Sequence, residues 1–150
     1  MLILSHFVCA ILTINFYPKA NTMKYETINQ ESIAKLMELF YDKIRKDKDL
    51  GPIFNNAIGT SDEAWKEHKA KIGNFWAGML LGEGDYIGQP LKKHLDLPPF
   101  TKEFFGIWLG LFEESLDKIY NNEEMKNVIL QRAQMIASHF QNMLYRFGGH

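Results

Sequence analysis

Apolar residues recur every three or four positions through most of the chain, which is the spacing of one face of an α-helix. Four runs keep this spacing, within residues 33–44, 65–79, 104–119 and 125–144. No segment alternates between apolar and polar residues over more than a few positions, so no β-sheet is expected. The pattern predicts a small all-α domain built from four substantial helices.

Residues that start or stop helices separate the four runs. Asp49-Leu50-Gly51-Pro52 is expected to end the first helix, so that Ile53-Phe54 forms an apolar corner and Asn55-Asn56 a loop. Thr60, with Glu63 three residues later, matches a capping box for the second helix.

Glycines and polar residues predict the remaining boundaries. Gly82 should end the second helix, and residues 82–90 hold three glycines and a proline, which is typical of a loop. A short helical turn is expected around residues 91–95, before Pro98-Pro99. Thr101 can cap the third helix, and the last helix is expected over about residues 123–147.

The composition excludes several classes of function. The chain has 150 residues, of which 46% are hydrophobic and 23% charged, as is ordinary for one soluble globular domain. Its net charge of −1 gives no electrostatic reason to expect nucleic acid as a partner. Cys9 is the single cysteine, so neither an internal disulfide nor a cysteine-based metal site is possible. This cysteine usage favours a reducing compartment, the cytoplasm.

The first 22 residues differ from the rest of the chain. The stretch up to Phe16 is mostly apolar, but no cation precedes it, whereas a secretory signal normally begins with a positive region. It is also shorter than the roughly 20 apolar residues of a membrane-spanning helix. We expect residues 1–22 to be an extension outside the domain of residues 23–150. A weak signal or membrane anchor is the alternative.

Familiar catalytic and metal-binding motifs are absent from the sequence. There is no His-Glu-x-x-His of zinc enzymes, no acidic loop of the calcium type and no Gly-x-Ser-x-Gly of a serine nucleophile. Candidate functional residues are therefore sought among individual ring side chains rather than in a known motif.

Four ring side chains are the candidates for a functional site. His68 lies in the apolar stripe of the second helix, where a histidine bonded to a backbone carbonyl is the commoner case. His94 lies next to Lys93 in a short punctuated segment, where an exposed histidine would be ordinary. Tyr41 and Trp108 occupy inward positions on two further helices. One metal-ligating imidazole faced by hydrogen-bonding rings would make a gas-binding haem pocket.

Six motifs spread over the domain carry a more specific signal than either histidine. They are Phe40-Tyr41, Phe54, Trp65-Lys66-Glu67-His68, Phe75-Trp76, His94-Leu95 followed by Pro98-Pro99-Phe100, and Trp108. Together they resemble the truncated haemoglobins, the short 2-on-2 globins of bacteria, and specifically their third group, with a likeness to globins of Campylobacter-type bacteria. The resemblance covers about residues 23–149. It implies an all-α truncated globin fold, a 2-on-2 helical sandwich around haem b.

The resemblance also implies roles for individual side chains. His94 would be the proximal ligand of the haem iron, and Tyr41 and Trp108 would donate hydrogen bonds to a ligand on the opposite, distal side. His68 would lie on the distal helix as a gate for ligand access rather than as the main donor. The remaining positions would contact the haem, namely Phe40, Phe54, Ile72, Phe75 and Trp76 through apolar surface and Lys93, with Lys92, through the propionates.

The function implied by this resemblance is reversible binding of dioxygen at a ferrous iron, in oxygen binding or buffering at low oxygen. Carbon monoxide, nitric oxide and, for ferric iron, cyanide would bind at the same position. An unidentified reductase would keep the iron reduced, and we expect a monomer without a membrane or nucleic-acid partner.

Two other functions stay open at this point. A haem redox enzyme of peroxidase-like or nitric-oxide-detoxifying type needs the same pocket, because the same hydrogen bonds could polarise an O–O bond. A haem-free helical interaction module would need an exposed apolar face. The apolar stripes are instead accounted for by a core, which disfavours that alternative.

Overall fold

The computed structural model describes residues 24–82 and 101–147, with side chains up to residue 142. Within these ranges the chain forms five helices and no strand, as an all-α fold requires. The helices are α1 (Gln30–Lys46), α2 (Leu50–Ile58), α3 (Asp62–Leu81), α4 (Lys102–Ile119) and α5 (Glu123–Phe147). No helix of this part of the chain has the length and apolarity needed to span a membrane.

Side chains at the helix starts explain where α1 and α4 begin. Asn29 caps α1 by accepting a hydrogen bond from the backbone N–H of Ser32, and the Ser32 hydroxyl accepts from the Asn29 N–H in return. Thr101 caps α4 by accepting from the N–H of Phe104, as predicted. Gly82 follows α3 in the left-handed conformation (φ 68°), which confirms it as the predicted end of that helix.

The prediction of a corner and loop over residues 53–56 is wrong, because α2 runs through them and makes a fifth helix. Gly51 and Pro52 fall in the first turn of α2, where a proline is tolerated because its missing N–H needs no helical partner. The Asp47 carboxylate accepts from the backbone N–H groups of Asp49 and Leu50, so the chain turns directly from α1 into α2. A side chain at Gly51 would lie 2.7 Å from the carbonyl oxygen of Arg45, so the turn requires glycine.

The predicted cap of α3 is off by one residue. Ser61, not Thr60, is the N-cap, and its hydroxyl accepts from the N–H of Ala64 at 3.1 Å. The capping-box pattern favoured Thr60 because Glu63 follows it by three residues, whereas Ser61 is followed at that distance by Ala64 and caps α3 with its hydroxyl alone.

Helix α1 is the central element of the described fold. It packs against α2, α3 and α4, and α5 packs against α4. Its buried stripe is the one predicted from periodicity: Ile33, Leu36, Met37, Phe40, Tyr41 and Ile44. Because α3 and α4 lie against this helix, residues at positions 40 and 41 are placed between them.

The segment before α1 is tied to the end of α4. The backbone N–H of Tyr25 donates to the carbonyl of Ile119 at 2.8 Å, and the N–H of Asn121 donates to the carbonyl of Tyr25 at 3.1 Å. Beneath this bridge the Ser32 and Tyr120 hydroxyls share a hydrogen bond of 2.7 Å, and both side chains are fully buried. The start of α1 and the end of α4 are therefore joined by hydrogen bonds between polar groups.

Candidate ligand-binding site

A small internal cavity of about 30 Å³ lies between α1, α3, α4 and α5. This volume is enough for a water molecule or a diatomic ligand. Six of the eight described side chains that line it are aromatic and none is charged. They are Phe40 and Tyr41 from α1, Ile72, Phe75 and Trp76 from α3, Trp108 from α4, and Ile136 and Phe140 from α5.

Tyr41 supplies one polar group to this apolar cavity. Its side chain is only 4% exposed, and burial raises the pKa of the Tyr41 phenol far above its ordinary value of 10.0. The hydroxyl therefore keeps its proton at any physiological pH and can act as a hydrogen-bond donor. Among the described residues, no hydrogen bond engages that hydroxyl.

Trp108 supplies the second polar group. Its ring is stacked on Phe112 with centroids 5.9 Å apart, and it meets Phe40 edge to face at 5.6 Å. These contacts fix the ring plane, while the indole can only donate through its N–H and cannot accept. The structure thus brings two donors, one from α1 and one from α4, to the lining of one apolar cavity.

His68 lies beside the site rather than in the described lining of the cavity. It is half-buried on α3, and its ring contacts Tyr41 edge to face with centroids 4.9 Å apart. Trp65, one turn earlier on α3, contacts both rings, at 5.7 Å from Tyr41 and 5.6 Å from His68. Tyr41 and His68, the two residues that the resemblance assigned to the distal side, are therefore neighbours, while their roles stay predictions.

The predicted apolar wall is largely brought together by the fold. Phe40, Ile72, Phe75 and Trp76 all line the cavity. Phe54 is buried in α2 but is not among the described lining residues, so its contact with a porphyrin stays a prediction.

Two predicted residues cannot be located. His94, the predicted iron ligand, and Lys93 lie outside the described residues.

Sequence reasoning did not assign Ile136 and Phe140 to the site. Both were recognised only as part of the apolar stripe of α5. They line the cavity because α5 packs against α4, and that packing is not visible in a single helix. The only signal in the sequence was the apolar stripe of α5, and a stripe does not indicate which of its residues line a ligand cavity.

The donor set fits a haem-ligand pocket better than it fits a bare metal site. No group of three or more histidine, cysteine or acidic side chains lies together within residues 24–82 and 101–142. The cavity instead combines flat aromatic surfaces with two hydrogen-bond donors, and such donors in an apolar distal pocket are what tunes ligand binding to haem.

Comparison with known proteins decides the family. A family model described as "bacterial-like globin" matches residues 23–142. The chain belongs to the bacterial-like globins. This globin is 88% identical over 128 residues to the group 3 truncated hemoglobin of Campylobacter jejuni, a match that covers 85% of this chain and all of that protein. The predicted resemblance to the third truncated group is thereby confirmed.

Two further comparisons agree with this family. The crystal structure of a group III truncated hemoglobin from Campylobacter jejuni is similar to this globin, with a TM-score of 0.79, 88% identity, and coverage of 85% of this chain and all of that one. The group 2 truncated hemoglobin of Bacillus subtilis is 25% identical over 119 residues, which is 79% of this chain and 87% of that protein. The predicted truncated globin fold is confirmed, and the globin family implies haem and a diatomic ligand.

Proposed function

We propose that this globin holds haem b through His94 and binds dioxygen reversibly in the Tyr41–Trp108 cavity, for oxygen binding or buffering at low oxygen. The observation that carries the proposal is the pair of donors in an otherwise apolar cavity of diatomic size. When bound, haem supplies a ferrous iron with an open coordination position for the ligand. Carbon monoxide, nitric oxide and cyanide would be accommodated in the same space.

The chain's own residues would give this site its selectivity. The phenol of Tyr41 is held protonated by burial, so it donates to a ligand that carries partial negative charge. The indole N–H of Trp108 would donate from α4, and the indole has no acceptor site of its own. Each hydrogen bond in such a dry pocket should strengthen ligand retention by about 1 kcal/mol. Phe40, Ile72, Phe75 and Trp76 exclude bulk water from the same space.

Two partners complete the proposal. An unidentified reductase would return oxidised iron to the ferrous state. The protein would act as a monomer in the cytoplasm, where its single cysteine remains a thiol.

Absorption spectra of the purified protein test the proposal directly. The oxidised, reduced and carbon monoxide-treated forms should each show a haem Soret band. The variant His94→Ala should lose stable haem, whereas His139→Ala, which alters an exposed histidine of α5, should retain it. Full haem retention in His94→Ala would refute the proximal assignment.

Kinetics then separate oxygen binding from redox catalysis. A long lifetime of the oxygen-bound protein with slow peroxide turnover supports the proposed function. A short lifetime with rapid peroxide or nitric oxide turnover would favour the haem redox enzyme instead.

A further inference from the structure

Three rings on the distal side form a closed triangle. The centroids of Trp65, Tyr41 and His68 are separated by 5.7 Å, 4.9 Å and 5.6 Å around the triangle. Trp65 is fully buried but is not among the described residues that line the inner cavity. It therefore contacts Tyr41 and His68 without being among the described residues of the cavity lining.

Trp65 is fixed by polar contacts that do not involve the cavity. Its indole N–H donates to the carbonyl oxygen of Gly59 at 2.7 Å. Gly59 ends α2 with φ of 112°, a conformation that side-chain-bearing residues rarely adopt, and this turn aims the carbonyl at the indole. The orientation of Trp65 is thus set by the corner between α2 and α3.

Arg45 packs over the ring of Trp65. Its guanidinium lies 4.9 Å from the indole centroid, within the range of a cation–π contact. The same guanidinium donates to the carbonyl oxygen of Thr60 at 3.3 Å. Arg45 also borders an open groove of about 930 Å³ between α1 and α3, and Tyr41 borders both this groove and the cavity.

The contrast with Tyr41 shows what this anchoring does. Within the described part of the chain the Tyr41 hydroxyl has no polar anchor, so the direction of its O–H depends on the rings around it. Phe40 supports the Tyr41 ring with centroids 5.0 Å apart, and Trp65 supports it from the direction of α3. Hydrogen bonds weaken steeply when the donor angle deteriorates, so a small rotation of this ring would weaken donation into the cavity.

We propose that Trp65 is a positioning residue for the distal site, and that Arg45 and Gly59 lock it in place. It acts through Tyr41 and His68 and touches no ligand itself. This inference rests on the proposed function, because it assigns to Trp65 the orientation of the donor that the function requires.

Three variants of the full-length, haem-loaded protein test the proposal: Trp65→Phe, Tyr41→Phe and Tyr120→Phe. Tyr120 is a buried aromatic at the C-cap of α4 that contacts Ser32, so Tyr120→Phe controls for general loosening of the core. The readouts are the infrared stretching band of carbon monoxide on the reduced protein, the NMR resonances of the Tyr41 ring in the same complex, and the oxygen dissociation rate.

Trp65→Phe keeps an aromatic ring but removes the indole N–H that donates to the Gly59 carbonyl, and it leaves a smaller ring beneath the Arg45 guanidinium. We expect a shifted or split carbon monoxide band, shifted Tyr41 resonances, and oxygen dissociation faster by roughly twofold to fivefold, as for a weakened rather than deleted hydrogen bond. Tyr120→Phe should leave all three unchanged.

The outcomes separate the two proposals. If Tyr41→Phe changes the band and the rate but Trp65→Phe changes neither, the positioning role is refuted and the proposed function stands. If Tyr41→Phe itself has no effect, the donor assignment fails instead. Equal changes in Trp65→Phe and Tyr120→Phe would mean general loosening and would also overturn the positioning role.

A second pair of variants covers the case in which Trp65→Phe does not fold. Arg45→Met removes the charge and the hydrogen bond to Thr60 while Trp65 stays in place, and Arg45→Lys restores the charge. We expect the carbon monoxide band to shift in Arg45→Met and to return toward the original position in Arg45→Lys. An unchanged band in Arg45→Met would overturn the proposal.

Discussion

Two buried tyrosines, Tyr41 and Tyr120, are placed in opposite ways by the same fold. The Tyr120 hydroxyl is paired with Ser32 at 2.7 Å, and Ser32 also bonds the backbone of Asn29. The Tyr41 hydroxyl has no such partner in the described structure and lies in the lining of a cavity. Burial raises the pKa of both phenols, but for Tyr120 the hydrogen bond with Ser32 opposes part of that effect.

The difference separates a tyrosine that is paired within the fold from the tyrosine that is proposed to serve a ligand. A buried polar group without a partner destabilises a fold, so proteins retain such groups mainly where a ligand or water completes the bonding. Tyr120 closes the packing between the start of α1 and the end of α4. Tyr41 lines the cavity, where it is the proposed donor to a ligand.

The largest expected effect is on oxygen dissociation in Tyr41→Phe. Losing one hydrogen bond to the ligand should speed dissociation from the reduced, haem-loaded protein by roughly fivefold to tenfold. Tyr120→Phe removes the same atom from the other buried tyrosine and should leave the rate unchanged. Stopped-flow displacement of oxygen by carbon monoxide measures both rates. Equal dissociation rates in the two variants would contradict the proposed role of Tyr41 as a donor.

Trp108→Phe should produce a smaller change in the same measurement, by roughly fivefold or less. Phenylalanine can keep the stacking on Phe112 and the edge contact with Phe40, so only the N–H donor is lost. An indole N–H is also a less acidic donor than a phenol O–H, so the hydrogen bond that is lost should be the weaker of the two. If the double variant with Tyr41→Phe is no faster than Tyr41→Phe alone, Trp108 is not an independent donor.

Most helices could be predicted from the sequence because each carries a long apolar stripe between clear start and stop residues. Helix α5 runs from Glu123 to Phe147, the bounds that its pattern predicted. Helix α2 was missed because Gly51-Pro52 is a common stop signal. Only the turn made by Asp47 shows that these two residues begin a new helix.

The candidate site could be predicted only in part. Tyr41, Trp108 and the wall residues of α3 were chosen through family resemblance and lie around one cavity, although their roles in binding stay predictions. Trp65 was noticed only as part of a motif, because its links to Gly59 and Arg45 depend on how α3 meets the end of α2 and the end of α1. Contacts of this kind connect separate elements and leave no periodic signal in the sequence.

The free energy of unfolding should fall more in Tyr120→Phe than in Tyr41→Phe, the reverse of the order expected for oxygen dissociation. Tyr120→Phe removes a buried hydrogen bond and should lower the free energy of unfolding by about 1 kcal/mol. Tyr41→Phe removes a buried hydroxyl that has no partner within the described residues, so it should cost less or even stabilise. Urea unfolding with the haem state held constant measures both, and a larger loss in Tyr41→Phe would show that its hydroxyl is structurally paired.

The smallest expected effect appears only at alkaline pH. A phenol whose folded-state pKa is raised adds no pH dependence below its unfolded pKa of 10.0, and stability then falls as pH rises toward the folded-state pKa. Each buried tyrosine can contribute a loss of up to about 1.4 kcal/mol per pH unit in that window. Burial is the one cause at Tyr41, and the rise in its pKa is large. At Tyr120 burial and Tyr25 raise the pKa while the hydrogen bond with Ser32 lowers it, so the window for Tyr41 should extend to higher pH. Tyr41→Phe should therefore flatten the decline in urea midpoint above pH 10 more than Tyr120→Phe does, and parallel declines in the two variants would contradict the distinction.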